Sequence, residues 1–293
     1  MTHRFPLKLI GSAIFLFLLV GFSYAAETQK PIKIAILPCN NIEITFKKFY
    51  PLIKYLIQRT NIDMRIVVPT DFTAFEISIR KGEIDFVLQD PHTYITLVNL
   101  YNKDEILRAL SVEGETTKFA VVVVGKDSHI KTLNDLRGRT VMFGSKASIT
   151  KWVAARLLFE ENGINIDKDL KAYSNGGCCE DIAFSVYLNS VDAGVVCNHF
   201  LAEHEEKQKE LGVEAGKILV IGRTKSVPTR VFVSRKDVSK DIVSKINNAL
   251  LELDRNNPEH SKILYRGELG GFQRAKDKDY EEVRRLMTNN LIN

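Results

Sequence analysis

Short β-rich runs alternate with longer stretches of helical periodicity along almost the whole chain, and that alternation leaves few architectures open. Lys33-Ile34-Ala35-Ile36-Leu37 is followed by a helical pattern over 46–59, a strand over 64–68, a helix over 74–81 and a strand over 84–88. Strand, helix, strand in that order sets consecutive strands parallel, with helices on the faces of the sheet. Within 46–59, Phe46, Phe49, Ile53, Leu56 and Ile57 recur at three- and four-residue spacing. That predicts a buried stripe, with Pro51 either kinking the helix or marking where its regular part begins.

A second series repeats the pattern: strands over 119–124 and 140–143, a helix over 148–162 stopped by Gly163, a helix over 181–188 and a strand over 191–196. A third stretch returns with strands over 217–221 and 230–234, then ends in helices over 239–255 and 277–290. A weak internal echo links the series. Residues 80–87 and 188–195 each end a helix, turn, and enter a strand carrying Asp at its second position, Asp85 and Asp192. The chain therefore reads as two α/β lobes, 26–118 with 223–293 and 119–222, joined by two short crossings that act as a hinge.

At 293 residues the length suits two such lobes, and 45% hydrophobic with 26% charged residues excludes disordered and collagen-like chains. The formal charge of +5 is too small and too scattered for a nucleic-acid surface. Arg4 and Lys8 flank the uncharged run 9–22, followed by Ser23-Tyr24-Ala25. This is the pattern of a cleaved export signal over 1–25, since the run is shorter than the ~20 residues a membrane span needs. After cleavage the chain is expected to be monomeric, periplasmic and without a membrane insertion.

In open parallel sheets ligands bind beyond the carboxyl ends of the strands. Those positions hold Asn40, the segment Asp90-Pro91-His92-Thr93-Tyr94, the segment 144–150, the loop 176–181, Cys197-Asn198-His199, and Arg230. The hydroxyl-bearing stretch Ser145 to Thr150 opens a helix, where unpaired amides and the positive end of the helix dipole favour an anion. Ser148 read structurally is simply the helix cap. All four cysteines, Cys39, Cys178, Cys179 and Cys197, fall at these ends. In an oxidising compartment a disulfide between Cys197 and either Cys178 or Cys179 is the first expectation, although four cysteines allow three full pairings. A soft-metal or thiol-reactive site built from Cys39, His92, Cys178, Cys179, Cys197 and His199 is the alternative. A catalytic reading would use Cys178 with His199 and Glu180 or Asp181. The chain lacks a nucleophile elbow, a P-loop and a His-Glu-x-x-His run, so no enzyme and no cofactor are expected.

The chain resembles the periplasmic substrate-binding proteins of phosphate, phosphite and phosphonate ABC transporters. The motifs that carry the likeness are Ile36-Leu37-Pro38, Val68-Pro69-Thr70-Asp71-Phe72, Gly82-Glu83-Ile84-Asp85, Asp90-Pro91-His92-Thr93-Tyr94, Leu133-Asn134-Asp135-Leu136-Arg137-Gly138, Ala147-Ser148-Ile149-Thr150 and Val191-Asp192-Ala193-Gly194. The resemblance implies an α/β, two-lobed type II binding-protein fold with a hinge cleft, a small oxyanion ligand and a permease partner. It implies that Ser148 and Thr150 hold the ligand oxygens, with Ile149 standing where the family usually has a hydroxyl. Tyr94, with Thr93, would contact the ligand from the opposite lobe, and Asp181 would follow a glycine-led loop. Glu180 stands where the family commonly places His. Asn40, Asn198 and Arg230 complete the expected contacts, Arg230 balancing ligand charge near a hinge crossing. The runner-up function is a periplasmic sensory or redox-linked protein that binds a metal or thiol-reactive ligand through the Cys/His set.

Overall fold

The computed structural model describes residues 1, 30–37, 42–198, 200 and 216–291. In chain order its elements begin β1 (Ile32–Ile36), α1 (Ile42–Thr60), β2 (Met64–Val67), α2 (Phe72–Arg80), β3 (Phe86–Gln89), α3 (Pro91–Leu97) and β4 (Ile106–Leu110). Then come β5 (Thr117–Lys118), β6 (Ala120–Gly125), β7 (Thr140–Phe143), a π-helical turn (Ile149–Ala154) running into α4 (Ala155–Glu161), α5 (Ile166–Asp169), β8 (Ala172–Asn175), α6 (Cys179–Tyr187) and β9 (Ala193–Cys197). The chain closes with β10 (Ile218–Arg223), β11 (Val227–Pro228), β12 (Val231–Ser234), α7 (Lys240–Leu251), α8 (Pro258–Arg266), β13 (Gly271–Ala275) and α9 (Glu281–Leu291).

Two sheets carry the fold. The first has six strands in the order β13-β4-β12-β3-β1-β2, the second five in the order β10-β6-β9-β7-β8. The strand-helix-strand units give the parallel pairs β1/β2, β1/β3, β7/β8 and β7/β9. Neither sheet is wholly parallel, which corrects the simplest reading of the alternation. Strand β12 runs antiparallel between β3 and β4, and β6 runs antiparallel between β9 and β10. The antiparallel strands flank the two places where the chain leaves one sheet for the other. At those crossings β5 and β11 pair as a two-stranded ribbon.

The core strands are buried on both faces, as sheets covered by helices require. All four residues of β3 and β12 and all five of β9 are buried. Helix α1 starts earlier than its apolar stripe suggests and carries Pro51 within a continuous helix. It buries Thr45, Phe49, Leu52, Ile53 and Leu56. Phe46, expected in that stripe, is exposed and stacks on Tyr50, their rings 5.3 Å apart. The buried arc is centred on Thr45, Phe49, Leu52 and Leu56, and Phe46 falls at its edge.

The internal echo has a physical basis. Asp85 sits just before β3, and its Oδ2 accepts the amide of Lys33 in the parallel neighbour β1 at 2.9 Å. Asp192 sits just before β9, and its Oδ2 accepts the amide of Thr140 in the parallel neighbour β7 at 2.8 Å, and its hydroxyl at 2.7 Å. In each sheet one carboxylate satisfies a strand-start donor that the ladder leaves open. Burial works to raise the Asp192 pKa, but the hydrogen bonds from Thr140 together with the charges of Arg139 and Lys171 hold the carboxyl below its ordinary value. Pro31–Asn293 forms one compact unit, distinct from Met1–Lys30. The expected export signal lies, apart from Met1, outside the described residues.

Candidate functional site

The carboxyl end of β3 and the residues after β7 converge on one cavity. Beyond β3, Pro91 takes the first position of α3, where a missing N–H costs nothing. Asp90 caps that helix, its Oδ1 accepting the amide of His92 at 3.0 Å. Beside it Gln89 is fully buried. Its Oε1 accepts from the Tyr101 hydroxyl at 3.1 Å, while its Nε2 has no hydrogen-bond partner among the described residues.

From the second sheet, β7 ends at Phe143 and the chain turns through Gly144. A Cβ at Gly144 would lie 2.5 Å from the Cβ of Lys151, so only glycine lets the helix start fold so closely over the strand end. Ser148 is the helix cap, its Oγ accepting the amide of Lys151 at 3.0 Å. Lys151 is buried along its length, and its Nζ donates to the Gly177 carbonyl at 2.7 Å, tying the helix start to the loop before α6. That loop delivers Cys179 and Glu180 in the first turn of α6, where an acidic side chain complements the helix dipole.

The cavity has a volume of about 140 Å³. A dry cavity of ~150 Å³ takes a benzene-sized guest, so this one suits a small ligand. Its lining comes from both sheets and includes the cations Lys48, Lys118, Lys151 and Arg230 and the carboxylates Asp90, Glu180 and Glu268. Lys48 Nζ lies 2.5 Å from Glu268 Oε1, and Arg230 Nη2 lies 3.7 Å from Glu268 Oε2. Lys118 Nζ lies 3.5 Å from Asp90 Oδ2. The Arg230 guanidinium carbon stands 5.9 Å from the centre of the Phe49 ring, which together with Phe72 supplies an apolar wall.

Of the residues expected from sequence, Ser148, Glu180 and Arg230 line this cavity. Asn198 lines a smaller adjoining one together with Arg230, and its Oδ1 accepts the Phe119 amide at 3.2 Å. Thr93, Tyr94, Ile149, Thr150 and Asp181 line neither. Tyr94, expected to contact a ligand, is packed away from both cavities. Tyr94 is 0% exposed, lies between Tyr101 and Tyr280, and donates its hydroxyl to Asp277 Oδ1 at 2.6 Å. Burial, and then the Asp277 carboxylate, push its phenol above the ordinary range. Thr93 and Thr150 are likewise fully buried, Ile149 is core, and Asp181 faces solvent. Helical phase explains this: Thr150, two residues past the Ser148 cap, and Thr93, three past the Asp90 cap, turn inward with the first turn. Asn40, with Cys39 and His199 of the alternative set, lies outside the described residues.

The cysteines are arranged differently from expectation. Among the described residues no disulfide is formed. Cys179 Sγ accepts the amide of Cys197 at 3.2 Å, and both residues line the cavity, while Cys178 is buried beside it in sequence without lining it. No group of three or more His, Cys, Asp and Glu able to hold a metal exists among the described residues. His92 is displaced from the lining, and burial pushes its imidazole below the ordinary value against the pull of Asp90. Sequence reasoning missed Lys48, Phe49, Phe72, Lys118 and Glu268 as lining residues. They come from helix faces and connecting segments, and no local motif marks them.

The profile of the family described as ABC transporter, phosphonate, periplasmic substrate-binding protein matches residues 34–280. The chain belongs to this family. Among characterised relatives, the phosphonates-binding periplasmic protein of Escherichia coli K12 is 23% identical over 290 residues, 95% of this chain and 84% of that one. Among solved structures, a binding-protein component of an ABC phosphonate transporter from Pseudomonas aeruginosa superposes with a TM-score of 0.76 at 19% identity, covering 88% of this chain and 86% of the other. PhnD1 from Prochlorococcus marinus, solved in complex with methylphosphonate, gives a TM-score of 0.77 at 18% identity, covering 89% and 98%. This phosphonate-family binding protein thus has the two-lobed periplasmic binding-protein fold, and among its described residues no helix is long and apolar enough to cross a membrane.

Proposed function

We propose that the protein captures a small phosphonate or related oxyanion in the cavity between its two sheets and presents the closed form to the permease of an ABC transporter. The observation that carries this reading is the joint lining of that cavity. The helix start capped by Ser148, which carries Lys151, lines the cavity together with Lys48, Lys118 and Arg230. Helix-start donors and fixed cations favour an oxyanion, and the limited volume favours one with a short substituent.

The Ser148 hydroxyl, already accepting from Lys151, keeps its own proton to donate to a ligand oxygen. Lys118, Lys151 and Arg230 supply charge, Gln89 Nε2 supplies a further donor, and Phe49 and Phe72 face the substituent. Residues 26–118 with 223–293 and 119–222 act as the two lobes, and the β5/β11 ribbon is the hinge. A ligand held from both sides stabilises the closed arrangement by its differential contacts. Binding rather than turnover is the activity, the exported protein acts as a monomer, and residues 1–25 direct its export.

The test is thermal unfolding and calorimetric titration of the mature protein with methylphosphonate, phosphite, phosphate and sulfate. At a hundredfold excess over Kd a ligand contributes about 2.7 kcal/mol. For a chain of this size that raises Tm by roughly 5 °C or more. Ser148→Ala is expected to weaken methylphosphonate binding at least about tenfold, the cost of one charge-assisted hydrogen bond. The absence of any shift with all four anions refutes the reading.

A further inference from the structure

One contact across the cavity has a consequence for how the cleft opens. Asp90 belongs to the six-stranded sheet, directly after β3, whereas Ile149 begins the helical run 149–161 after β7 of the five-stranded sheet. Yet the Ile149 amide donates to Asp90 Oδ1 at 3.0 Å. The same oxygen accepts from the His92 amide at 3.0 Å, and the other carboxylate oxygen lies 3.5 Å from Lys118 Nζ. Asp90 is 8% exposed, so the contact is shielded from water. The carboxylate therefore stands on the first free amide of the helix, at the positive end of its dipole and beside a basic side chain. Those are the features that would recognise an external oxyanion, and the same cavity is lined by both Asp90 and Ser148.

We propose that Asp90 is an internal anion that clasps the two lobes together in the absence of ligand and competes with the ligand for the helix start. An incoming oxyanion displaces the carboxylate from the Ile149 amide, and Asp90 keeps its helix cap and its place near Lys118. Residue 90 then sets affinity, because the closed, ligand-free state lowers apparent affinity by the fraction of molecules it withdraws from binding. The competition half of the proposal rests on the oxyanion reading above; the clasp half does not.

The variants Asp90→Ser and Asp90→Asn separate the two halves. Serine keeps a capping oxygen for α3 but is neutral and too short to reach Ile149, and asparagine keeps the shape without the charge. Small-angle scattering of ligand-free protein reads the clasp. The expected result is a larger radius of gyration for Asp90→Ser than for wild type, with Asp90→Asn between them and both variants returning to the wild-type value when saturated with methylphosphonate. Titration with methylphosphonate reads the competition, with at least tenfold tighter binding expected for Asp90→Ser. A ligand-free radius of gyration equal to wild type in both variants overturns the clasp, and affinity that is unchanged or weaker overturns the competition. If neither wild type nor variant binds methylphosphonate or phosphate, the oxyanion reading and the competition fall together, and the scattering result still decides the clasp.

Discussion

Tyr94 and Asp277 are far apart in sequence and act as one unit. The phenol donates to Asp277 Oδ1 at 2.6 Å, and Arg284 Nη2 donates to the same oxygen at 2.6 Å. Burial works to raise the Asp277 carboxyl, but the hydrogen bonds from Tyr94 and Arg284 outweigh it and hold the pKa below 3.8. A carboxylate with a depressed folded-state pKa stabilises the protein above its unfolded value, and that contribution is lost as the pH falls through the folded one. Tyr94→Phe is therefore expected to cost about 1.5–3 kcal/mol near neutral pH, as a buried hydrogen bond to a charged group does. The deficit against wild type should narrow below about pH 4, where carboxylates protonate. Denaturant unfolding of both proteins at several pH values measures this. Methylphosphonate affinity, read at neutral pH, is expected to stay at the wild-type value, because Tyr94 lies outside the cavity lining. At this scale the sequence marked Tyr94 as notable but not its partner, since nothing local pairs residue 94 with residue 277.

Helix α6 depends on a glycine in the strand beneath it. A Cβ at Gly194, the second residue of β9, would lie 2.6 Å from Ile182 Cγ2 and 2.9 Å from Val186 Cγ2. Ile182 and Val186 are almost fully buried and have no room to retreat. Gly194→Ala should lift α6 from the sheet, at a cost of about 1–3 kcal/mol for overpacking. Because α6 begins with Cys179 and Glu180, both in the cavity lining, the same variant should bind methylphosphonate more weakly. Chemical denaturation and calorimetry on one preparation check both effects, and unchanged stability would show that the interface can yield. A glycine inside a strand is a readable sign of close approach. What approaches is not readable, because it depends on the packing of a helix against a strand that the chain reaches later.

Over the whole molecule, two α/β halves were legible without coordinates, although the strand order within each sheet departs from the order in sequence. Alternating periodicity forces that result: a helix between two strands returns the chain, parallel, to the same sheet. The reversed strands β6 and β12 were not legible as such, since a strand's direction depends on where the preceding crossing enters the sheet. The crossings themselves coincide with the paired ribbon of β5 and β11, the connection about which the proposed closure would turn.

The sequence by itself determined the fold class, the family and the helix start at Ser148, because each is written in local periodicity, turn chemistry and short motifs. The tertiary structure decided which side chains meet at the cavity. It placed Lys48, Lys118 and Glu268 there and withdrew Tyr94, Thr93 and Thr150 into the core. It also set the Asp90 carboxylate on a helix start from the other sheet. Local sequence fixes the path of the backbone over a few residues, whereas the meeting of side chains about sixty or two hundred residues apart follows from how helices and sheets pack once all of them have formed.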